Sequence, residues 1–245
     1  MKFLIVNNIK KTYISKQHVQ TFALNSVSFS VQEKEMVAIM GASGSGKTTL
    51  INILTGLLEP DDGEIIINNK NILGMSKNEN ALFRRKNIGI VFQNYNLLDA
   101  LTVRENIEVP LILDAYGGDK EEKIQEISRY MGIEQQLDKY PYEISGGQQQ
   151  RVGICRAIIN NARIIFADEP TGNLDSKSSK KVMQYFQMIC NDMGASIVMV
   201  THDPVSASYC DKVLFIKDGI IENEIIKKEN SNWFDTIIET QRGMI

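Results

Sequence analysis

The chain has 245 residues, 43% hydrophobic and 23% charged, which are ordinary values for a globular protein with a sizeable core. Its formal net charge of −3 gives no electrostatic reason to expect a nucleic-acid partner, and we expect none. No apolar run approaches the ~18–20 residues that span a bilayer, and the apolar N-terminal stretch is too short for a signal peptide, so we expect a cytoplasmic protein. Cys155, Cys190 and Cys210 are widely spaced in apolar surroundings, which predicts reduced cysteines that serve packing.

The first third of the chain is predicted to form strands around one helix. Residues 27–32 alternate apolar and polar side chains, the period-two pattern of a half-buried antiparallel strand. Residues 36–40 are continuously apolar and suit a strand buried on both faces. Apolar residues at helical spacing follow over 50–58, and further strands are predicted at 64–68 and 88–92.

The middle of the chain is predicted to be helical. Thr102 and Glu105 have the spacing of a capping box and stand before an apolar run. A charged helix is expected over 120–131, with its apolar residues on one face, and another helix over 145–158. This change of pattern predicts a helical lobe inserted into a sheet-based lobe.

Strands return in the last third, at 164–167, 197–200 and 213–216, with one helical face between residues 182 and 193. Strands that alternate with helices predict an α/β fold with a parallel sheet covered on both sides. The predicted segments are a sheet lobe of 1–93 and 162–225, a helical lobe of 94–161 and a C-terminal extension of 226–245. Within the extension, Trp233 and Phe234 open a short amphipathic segment that we expect to pack on the core rather than bind a partner.

A glycine-rich loop lies between the strand at 36–40 and the helix after it. It satisfies the G-x-x-x-x-G-K-[ST] pattern of a phosphate-binding loop, in the strand–loop–helix setting that the motif requires. The glycines let backbone N–H groups converge on phosphate oxygens, and the positive end of the helix adds to the attraction. Lys47 is expected to contact the β- and γ-phosphates, and the Thr48 hydroxyl to reach Mg²⁺. The predicted nucleotide-binding residues are Gly41, Ala42, Ser43, Gly44, Ser45, Gly46, Lys47, Thr48 and Thr49.

Two carboxylates, Asp168 and Glu169, follow the predicted strand at 164–167. They would lie at the edge of the sheet where ligands bind in open α/β folds. We expect Asp168 to accept the metal's coordinated water and Glu169 to orient and polarise the attacking water. Taken alone, such a pair is usually a loop cap. The phosphate-binding loop upstream favours the catalytic interpretation.

A second phosphate-seeking loop, formed by Ser145, Gly146, Gly147 and Gln148, opens the helix at 145–158. Its glycines permit close backbone approach, and the serine hydroxyl with the helix N–H groups can bind a γ-phosphate. One glycine-rich loop already holds one nucleotide, so this one is predicted to bind the nucleotide of another copy of the chain. A turn followed by a helix cap is the alternative for such a tetrapeptide in isolation.

Together these motifs resemble the ATP-binding cassette (ABC) ATPases along nearly the whole chain. That resemblance implies a P-loop NTPase with a RecA-like mixed sheet, an N-terminal antiparallel subdomain and an α-helical lobe, together with ATP, Mg²⁺ and a head-to-tail dimer around two ATPs. It also implies roles for four residues. Gln93 would contact Mg²⁺ and the water, His202 the γ-phosphate, Asp175 the shared site across the dimer, and Tyr13 the adenine.

Simpler interpretations stay open for several of these positions. The alternative for Tyr13 is strand packing, for Gln93 a polar strand end, and for His202 a capping or surface role. The basic run at 84–86 is expected to be a solvated face or to lie near lipid headgroups. His18 is expected to be a surface-loop residue.

The wording of the motifs resembles the lipoprotein-release and macrolide-export branch of ABC systems, and most of all the bacitracin-resistance-type cassettes. That resemblance implies a separate integral-membrane permease, a place on the inner face of the cell membrane, and a role in resistance to antimicrobial peptides. An indirect link to a membrane sensor kinase is a further implication. The alternative is a non-transport ABC ATPase that regulates a membrane partner in cell division or signalling.

Overall fold

The computed structural model describes residues 1–14, 20–228 and 232–244, so that the predicted surface position of His18 lies outside the described residues. The strands are β1 (Lys2–Ile14), β2 (Gln20–Gln32), β3 (Met36–Met40), β4 (Asp62–Ile67), β5 (Lys70–Asn71), β6 (Ile88–Val91), β7 (Ile164–Asp168), β8 (Ser196–Thr201), β9 (Lys212–Lys217) and β10 (Ile220–Ile226). The α-helices are α1 (Lys47–Leu54), α2 (Lys77–Asn87), α3 (Val103–Leu113), α4 (Lys120–Tyr130), α5 (Gly146–Ile158), α6 (Ser176–Met188), α7 (Pro204–Ala207) and α8 (Trp233–Gly243).

The strands form two sheets. A four-stranded antiparallel sheet has the order β2-β1-β4-β5, and a six-stranded sheet has the order β10-β9-β3-β8-β7-β6. In the second sheet every neighbouring pair is parallel except β9 with the edge strand β10. This is the mixed α/β architecture with an antiparallel N-terminal sheet that the sequence predicts.

Hydrophobic patterning explains both sheets. In β2 the apolar residues Val27, Phe29 and Val31 are buried, while their polar neighbours are not, as the alternation predicts. In β3 all the residues of 36–40 are buried, and alternate residues join two different hydrophobic clusters, one on each face of the sheet. The parallel sheet is therefore covered on both sides.

The predicted helical middle is present, and its start is fixed by the predicted capping box. Thr102 caps α3, and its hydroxyl and backbone N–H exchange hydrogen bonds with Glu105. Asn106, fully buried on the first turn, donates to the carbonyls of Leu98, Leu101 and Thr102 and accepts from the Leu98 N–H at 2.8 Å. This one side chain orders the loop ahead of the helix.

Two elements differ from expectation. Helix α2 was expected only as a basic run, yet Ser76 and Glu79 form a capping box at its start and Arg84 donates to the Gly56 carbonyl at 2.7 Å. After α6, a π-helical turn (Ile189–Met193) adds a residue to the repeat, so Met193 is 47% exposed instead of sharing the buried face. The extra residue explains why the predicted helical face was wrong at that position.

The cysteines and Trp233 have the predicted packing roles, whereas the prediction that Phe234 packs on the core is wrong. All three cysteines are buried and free. Trp233 of α8 is 6% exposed and its indole N–H donates to the Cys210 carbonyl at 3.0 Å, whereas Phe234 stays 38% exposed. In the described segments of the chain, no helix combines the length and apolarity needed to cross a membrane.

Candidate functional site

The glycine-rich loop connects the end of β3 to the start of α1. Gly46 precedes the helix with φ 102°, a conformation that favours glycine, and a Cβ there would lie 2.3 Å from the Ala23 carbonyl oxygen. Gly41 is equally constrained, since its Cβ would lie 2.3 Å from the Ile216 carbonyl oxygen. The loop therefore sits directly against β2 and β9, with its backbone amides fixed at the edge of the central sheet.

Lys47 is a buried cation, 8% exposed, whose ammonium donates to the Gly41 and Ala42 carbonyls at 2.8 Å each. Burial lowers the pKa of Lys47, and the charges of Glu169 and Asp168 oppose that change. A buried ammonium held by neutral carbonyls suits an anion that would neutralise its charge. The buried Ser45 hydroxyl has no hydrogen-bond partner in the described parts of the chain, which also suits a phosphate oxygen nearby.

The two carboxylates leave β7 beside this loop. Burial raises the pKa of Asp168, the neighbouring charge of Glu169 raises it further, and Lys47 opposes both effects. Glu169 has φ 45°, the left-handed region, and its backbone N–H donates to the Val200 carbonyl at 3.0 Å. This sparsely populated conformation is held by β8 and turns the glutamate out of the strand.

The Glu169 carboxylate meets His202. The imidazole Nδ1 lies 3.0 Å from Glu169 Oε1 and 2.9 Å from Oε2. The histidine side chain is 68% exposed and that of the glutamate only 16%, and both residues line a cavity of about 720 Å³. The Glu169 carboxylate can accept a proton, and the His202 imidazole beside it can hold that carboxylate in one orientation.

Gln93, just after β6, lies close to the same region. A Cβ added at Gly172 would lie 3.0 Å from Gln93 Nε2 and 3.4 Å from the Glu169 carbonyl oxygen. The Gln93 side chain and the Glu169 backbone therefore both lie against Gly172. Asn173 fixes the backbone here by donating to the Gln93 carbonyl at 3.1 Å and to Asn94 Oδ1 at 3.0 Å. The structure thus brings the Gln93 segment next to the loop that follows the two carboxylates.

The second glycine loop is organised as the start of α5. Ser145 caps the helix, with its backbone N–H donating to Gln148 Oε1 at 2.8 Å and the Gln148 N–H donating to the serine hydroxyl at 3.4 Å. The helix cap that was the alternative interpretation of this tetrapeptide is therefore present. Ser145 remains exposed and lines a cavity of about 280 Å³. Gly147 and Gln148 line that cavity, whereas Gly41–Ser45 and His202 line another.

Asp175 lies beside the second loop but has a structural partner. Its carboxylate caps α6, accepting from the backbone N–H groups of Lys177 and Ser178 and from the Ser178 hydroxyl. These hydrogen bonds hold the pKa of Asp175 below its usual range. The cavity beside Ser145 is also lined by Lys177 and Lys181.

Tyr13 lies near the free end of the first hairpin and is 46% exposed. A bulge near Ala23 shifts the pairing, so that Lys11 opposes Leu24 and Tyr13 opposes Thr21. Because side chains alternate along a strand, Tyr13 shares a face with Lys11 and Leu24. Leu24 in turn lies against the Gly46 position, which puts Tyr13 on the face that looks toward the phosphate-binding loop.

Three supporting residues escaped the sequence analysis. A Cβ at Gly146 would lie 2.8 Å from the Tyr95 hydroxyl, and one at Gly147 would lie 2.9 Å from the Ser178 hydroxyl. Arg156 donates to the Tyr95 carbonyl at 2.9 Å. Tyr95 and the next residue both have positive φ, and an asparagine at that turn was the available signal.

Comparison with known proteins identifies the family of the chain. The family model described as "ABC transporter" matches residues 24–172. The fold and the G-x-x-x-x-G-K-[ST] loop define a P-loop ATPase, and the chain belongs to the ABC transporter family as an ATP-binding and ATP-hydrolysing cassette. The predicted family, fold class and ATPase activity are thereby confirmed.

Relatives and a solved structure place the chain within that family. It is 46% identical over 244 residues to the bacitracin export ATP-binding protein BceA of Halalkalibacterium halodurans, covering 98% of this chain and 96% of that protein. It is 41% identical over 228 residues to the macrolide export ATP-binding/permease protein MacB of Syntrophobacter fumaroxidans, covering 91% of this chain but 32% of that protein. These matches confirm the predicted resemblance.

The structural similarity is to a dimer. The cassette MJ0796 of Methanocaldococcus jannaschii, solved as a post-hydrolysis dimer bound to ADP and Pi, superposes with a TM-score of 0.85 at 38% identity. The match covers 92% of this chain and 99% of that one. ABC ATPases of this kind form dimers and pair with membrane permeases.

Proposed function

We propose that this chain hydrolyses ATP in sites shared between two copies, and that the resulting opening and closing drives a separate membrane permease. The observation that carries the proposal is the separation of two half-sites in one chain. Lys47, Glu169 and His202 cluster at the phosphate-binding loop, while Ser145 lies on a different cavity. A second copy in head-to-tail orientation would bring the missing half to each nucleotide.

On this proposal the residues of both half-sites have distinct roles. Lys47 and the amides of the glycine loop hold the phosphates, and Glu169, oriented by His202, accepts a proton from the attacking water. The partner's Ser145 contacts the γ-phosphate, with Asp175 fixing the loop beside it. Tyr13 stacks on the adenine. The cationic cavity that Lys177 and Lys181 line suits the polyanion that it would meet.

Mg²⁺ fits the donors present. No group of three or more His, Cys, Asp or Glu residues in the described ranges could hold a metal on its own. Mg²⁺ is commonly bound through only one or two protein carboxylates and completes its shell with other oxygens from the protein, from phosphates and from waters. We propose Thr48, Asp168 and Gln93 as those protein contacts. The ion would supply charge neutralisation at the transferring phosphoryl group.

Glu169→Gln tests the hydrolytic assignment. The amide keeps the contact with His202 but loses the proton acceptor, so we expect ATP binding to persist, turnover to fall by about 10²–10⁴ and an ATP-dependent dimer to accumulate. Phosphate release and sedimentation velocity measure the two effects. Near-normal turnover by this variant would refute the proposal.

Ser145→Arg tests the shared site separately. The change leaves the phosphate-binding loop of the same chain intact, so nucleotide binding by the monomer should be unaltered while hydrolysis is abolished. Normal turnover by this variant would show that the second loop completes no site.

The permease is proposed to bind the helical lobe together with the adjacent helix α2, where apolar side chains reach solvent. Leu82 on α2, Leu98 before α3 and Leu113 at the end of α3 are between 51% and 58% exposed. Arg85 joins the two helices by donating to the Leu113 carbonyl. Exposed apolar side chains on neighbouring elements favour a protein interface. We therefore propose residues 94–161 as the lobe that transmits motion, and a peripheral location on the inner face of the membrane.

The substrate class follows from the relatives and remains our proposal. Similarity to a bacitracin export cassette favours resistance to antimicrobial peptides, through their export or their release from a target. Leu113→Asp should abolish copurification of a permease and resistance together, whereas Ile226→Asp, a similarly exposed control on the edge strand β10 at the other end of the central sheet, should leave both intact. Resistance that persists without the permease contact would contradict the assignment. A copurifying membrane partner with no effect on peptide susceptibility would favour a regulatory ABC ATPase instead.

A further inference from the structure

The short helix α7 contains a buried serine whose hydroxyl joins two loops of the candidate site. Ser206 is 1% exposed, and its Oγ lies 2.9 Å from Oγ1 of Thr171, which is 7% exposed. The Ser206 hydroxyl also donates to Asp203 Oδ2 at 2.7 Å. Asp203 caps the same helix and accepts from the backbone N–H groups of Val205 and Ser206 at 3.0 Å each. These contacts form a chain of hydrogen bonds from Thr171 to the cap of α7.

The direction of this chain follows from the chemistry of its members. A carboxylate only accepts hydrogen bonds, so the single proton of the Ser206 hydroxyl points to Asp203. The Ser206 oxygen is then the acceptor toward Thr171, whose hydroxyl donates to it. Without the Ser206 hydroxyl, Thr171 would keep a buried donor that has lost its partner. A buried donor without a partner is costly, so the two loops would move to satisfy it.

The chain connects the loops that carry the proposed catalytic pair. Thr171 stands two residues after Glu169 in the loop that follows β7, and Asp203 directly follows His202 after β8. The same loops meet at the surface, where His202 Nδ1 lies 2.9 Å from Glu169 Oε2. With the histidine side chain 68% exposed, water competes for that outer contact, and an exposed pair holds its geometry weakly. The buried chain is a second connection, in surroundings where hydrogen bonds are stronger.

We propose that Ser206 is a positioning residue for ATP hydrolysis. Through its hydrogen bonds it holds the Glu169–His202 pair in the geometry that hydrolysis requires. The inference rests on the proposed function, in which Glu169 accepts a proton from the attacking water and His202 orients it. Loss of the buried connection lets the two loops shift, and a displacement of about 1 Å at a catalytic group can lower a rate by about 10²-fold. The phosphate-binding loop connects β3 to α1 instead, so nucleotide binding by the monomer should not change.

The test compares Ser206→Ala with Ser196→Ala in the full-length protein. Ser196 is also 1% exposed, and its hydroxyl likewise makes two hydrogen bonds, accepting from the Lys34 N–H and donating to the Gln32 carbonyl at 3.0 Å each. Ser196 begins β8, whereas His202 follows the opposite end of that strand. Both variants lose one buried hydroxyl, but only Ser206→Ala should lose turnover. We expect its kcat to fall by about tenfold to hundredfold, with the KM for ATP and the ATP affinity of the monomer unchanged.

Variants of Thr171 test the other side of the same hydrogen bond. Thr171→Val removes the donor and should lower kcat as Ser206→Ala does, whereas Thr171→Ser keeps the hydroxyl and should retain most of the parental rate. The double variant Thr171→Val/Ser206→Ala should be no slower than the slower single variant, because both changes break one bond.

Phosphate release at saturating ATP gives kcat, and thermal unfolding gives the stability lost in each variant. The inference is overturned by parental turnover in Ser206→Ala or Thr171→Val, or by an equal loss of turnover in Ser196→Ala. A fall in ATP affinity with an unchanged kcat overturns it as well. All of these outcomes leave the proposed function intact. Near-normal turnover by Glu169→Gln overturns the proposed function, and this inference with it.

Discussion

Replacing Gly147 by alanine should damage the second half-site without touching the first. A Cβ at this position would lie 2.9 Å from the Ser178 hydroxyl and 3.0 Å from Ser178 Cβ, whereas ordinary contact begins at 3.4 Å. The hydroxyl could rotate away only by leaving Asp175, to which it donates at 2.6 Å. The Ser178 Cβ cannot rotate, so the two helix starts must separate by about 0.4 Å (3.4 − 3.0). Overpacking of this kind costs about 1–3 kcal/mol.

The expected result is a selective loss of turnover. The shift displaces the capped loop that should meet the partner's phosphate, so steady-state phosphate release should fall by about tenfold or more, while ATP affinity of the monomer is retained. Gly117→Ala is the matched control, because nothing lies within 4 Å of a Cβ there. Adding Ser178→Gly to Gly147→Ala removes both clashing atoms and should restore part of the rate. Wild-type turnover by Gly147→Ala, with unchanged thermal stability, would refute the reasoning.

Further predictions follow from burial. Asp168→Asn should raise the Tm of the nucleotide-free protein at pH 8, because burial and Glu169 raise the pKa of this carboxyl and folding therefore disfavours its charge. The gain in Tm should shrink as the pH falls, since the wild-type carboxyl then becomes protonated. A Tm lower than that of the wild type at pH 8 would contradict this prediction. Burial raises the pKa of Cys190 to about 11, so a thiol reagent at pH 8 should label the native protein slowly, and rapid labelling contradicts this. Trp233→Ala should destabilise the fold by about 3–5 kcal/mol in urea unfolding, and Trp233→Phe, which loses the bond to the Cys210 carbonyl, by about 1 kcal/mol; equal losses contradict the assignment of that bond.

Elements with a strong local pattern could be predicted from the sequence, and those stabilised from a distance could not. The capping box at Thr102 precedes an apolar run, and α3 begins there. The same box at Ser76 was missed because α2 buries only Phe83 and therefore shows no apolar periodicity. The face of α6 was right up to the π-helical turn, where 3.6-residue spacing no longer holds and Met193 turns to solvent.

The candidate site likewise contains one part that its local sequence predicts and another that depends on residues far away along the chain. The phosphate-binding loop is specified locally, because its glycines, lysine and flanking strand and helix are contiguous in sequence. The residues that hold the second loop in place are far away along the chain, since Tyr95 lies against Gly146 and Ser178 against Gly147. No spacing rule connects them. The contact of Glu169 with His202 joins residues that follow different strands, and only the parallel order of β7 and β8 brings them together.

The buried amide of Asn106 has a consequence for how a permease could bind. Leu98, which lies on the surface proposed for that contact, has both its backbone N–H and its carbonyl bonded to this one side chain. Fixing a backbone residue costs about 1–2 kcal/mol of conformational entropy, and here that cost is met when the cassette folds. A partner that docks at Leu98 therefore meets a loop already in its bound shape, and more of the contact energy remains as affinity.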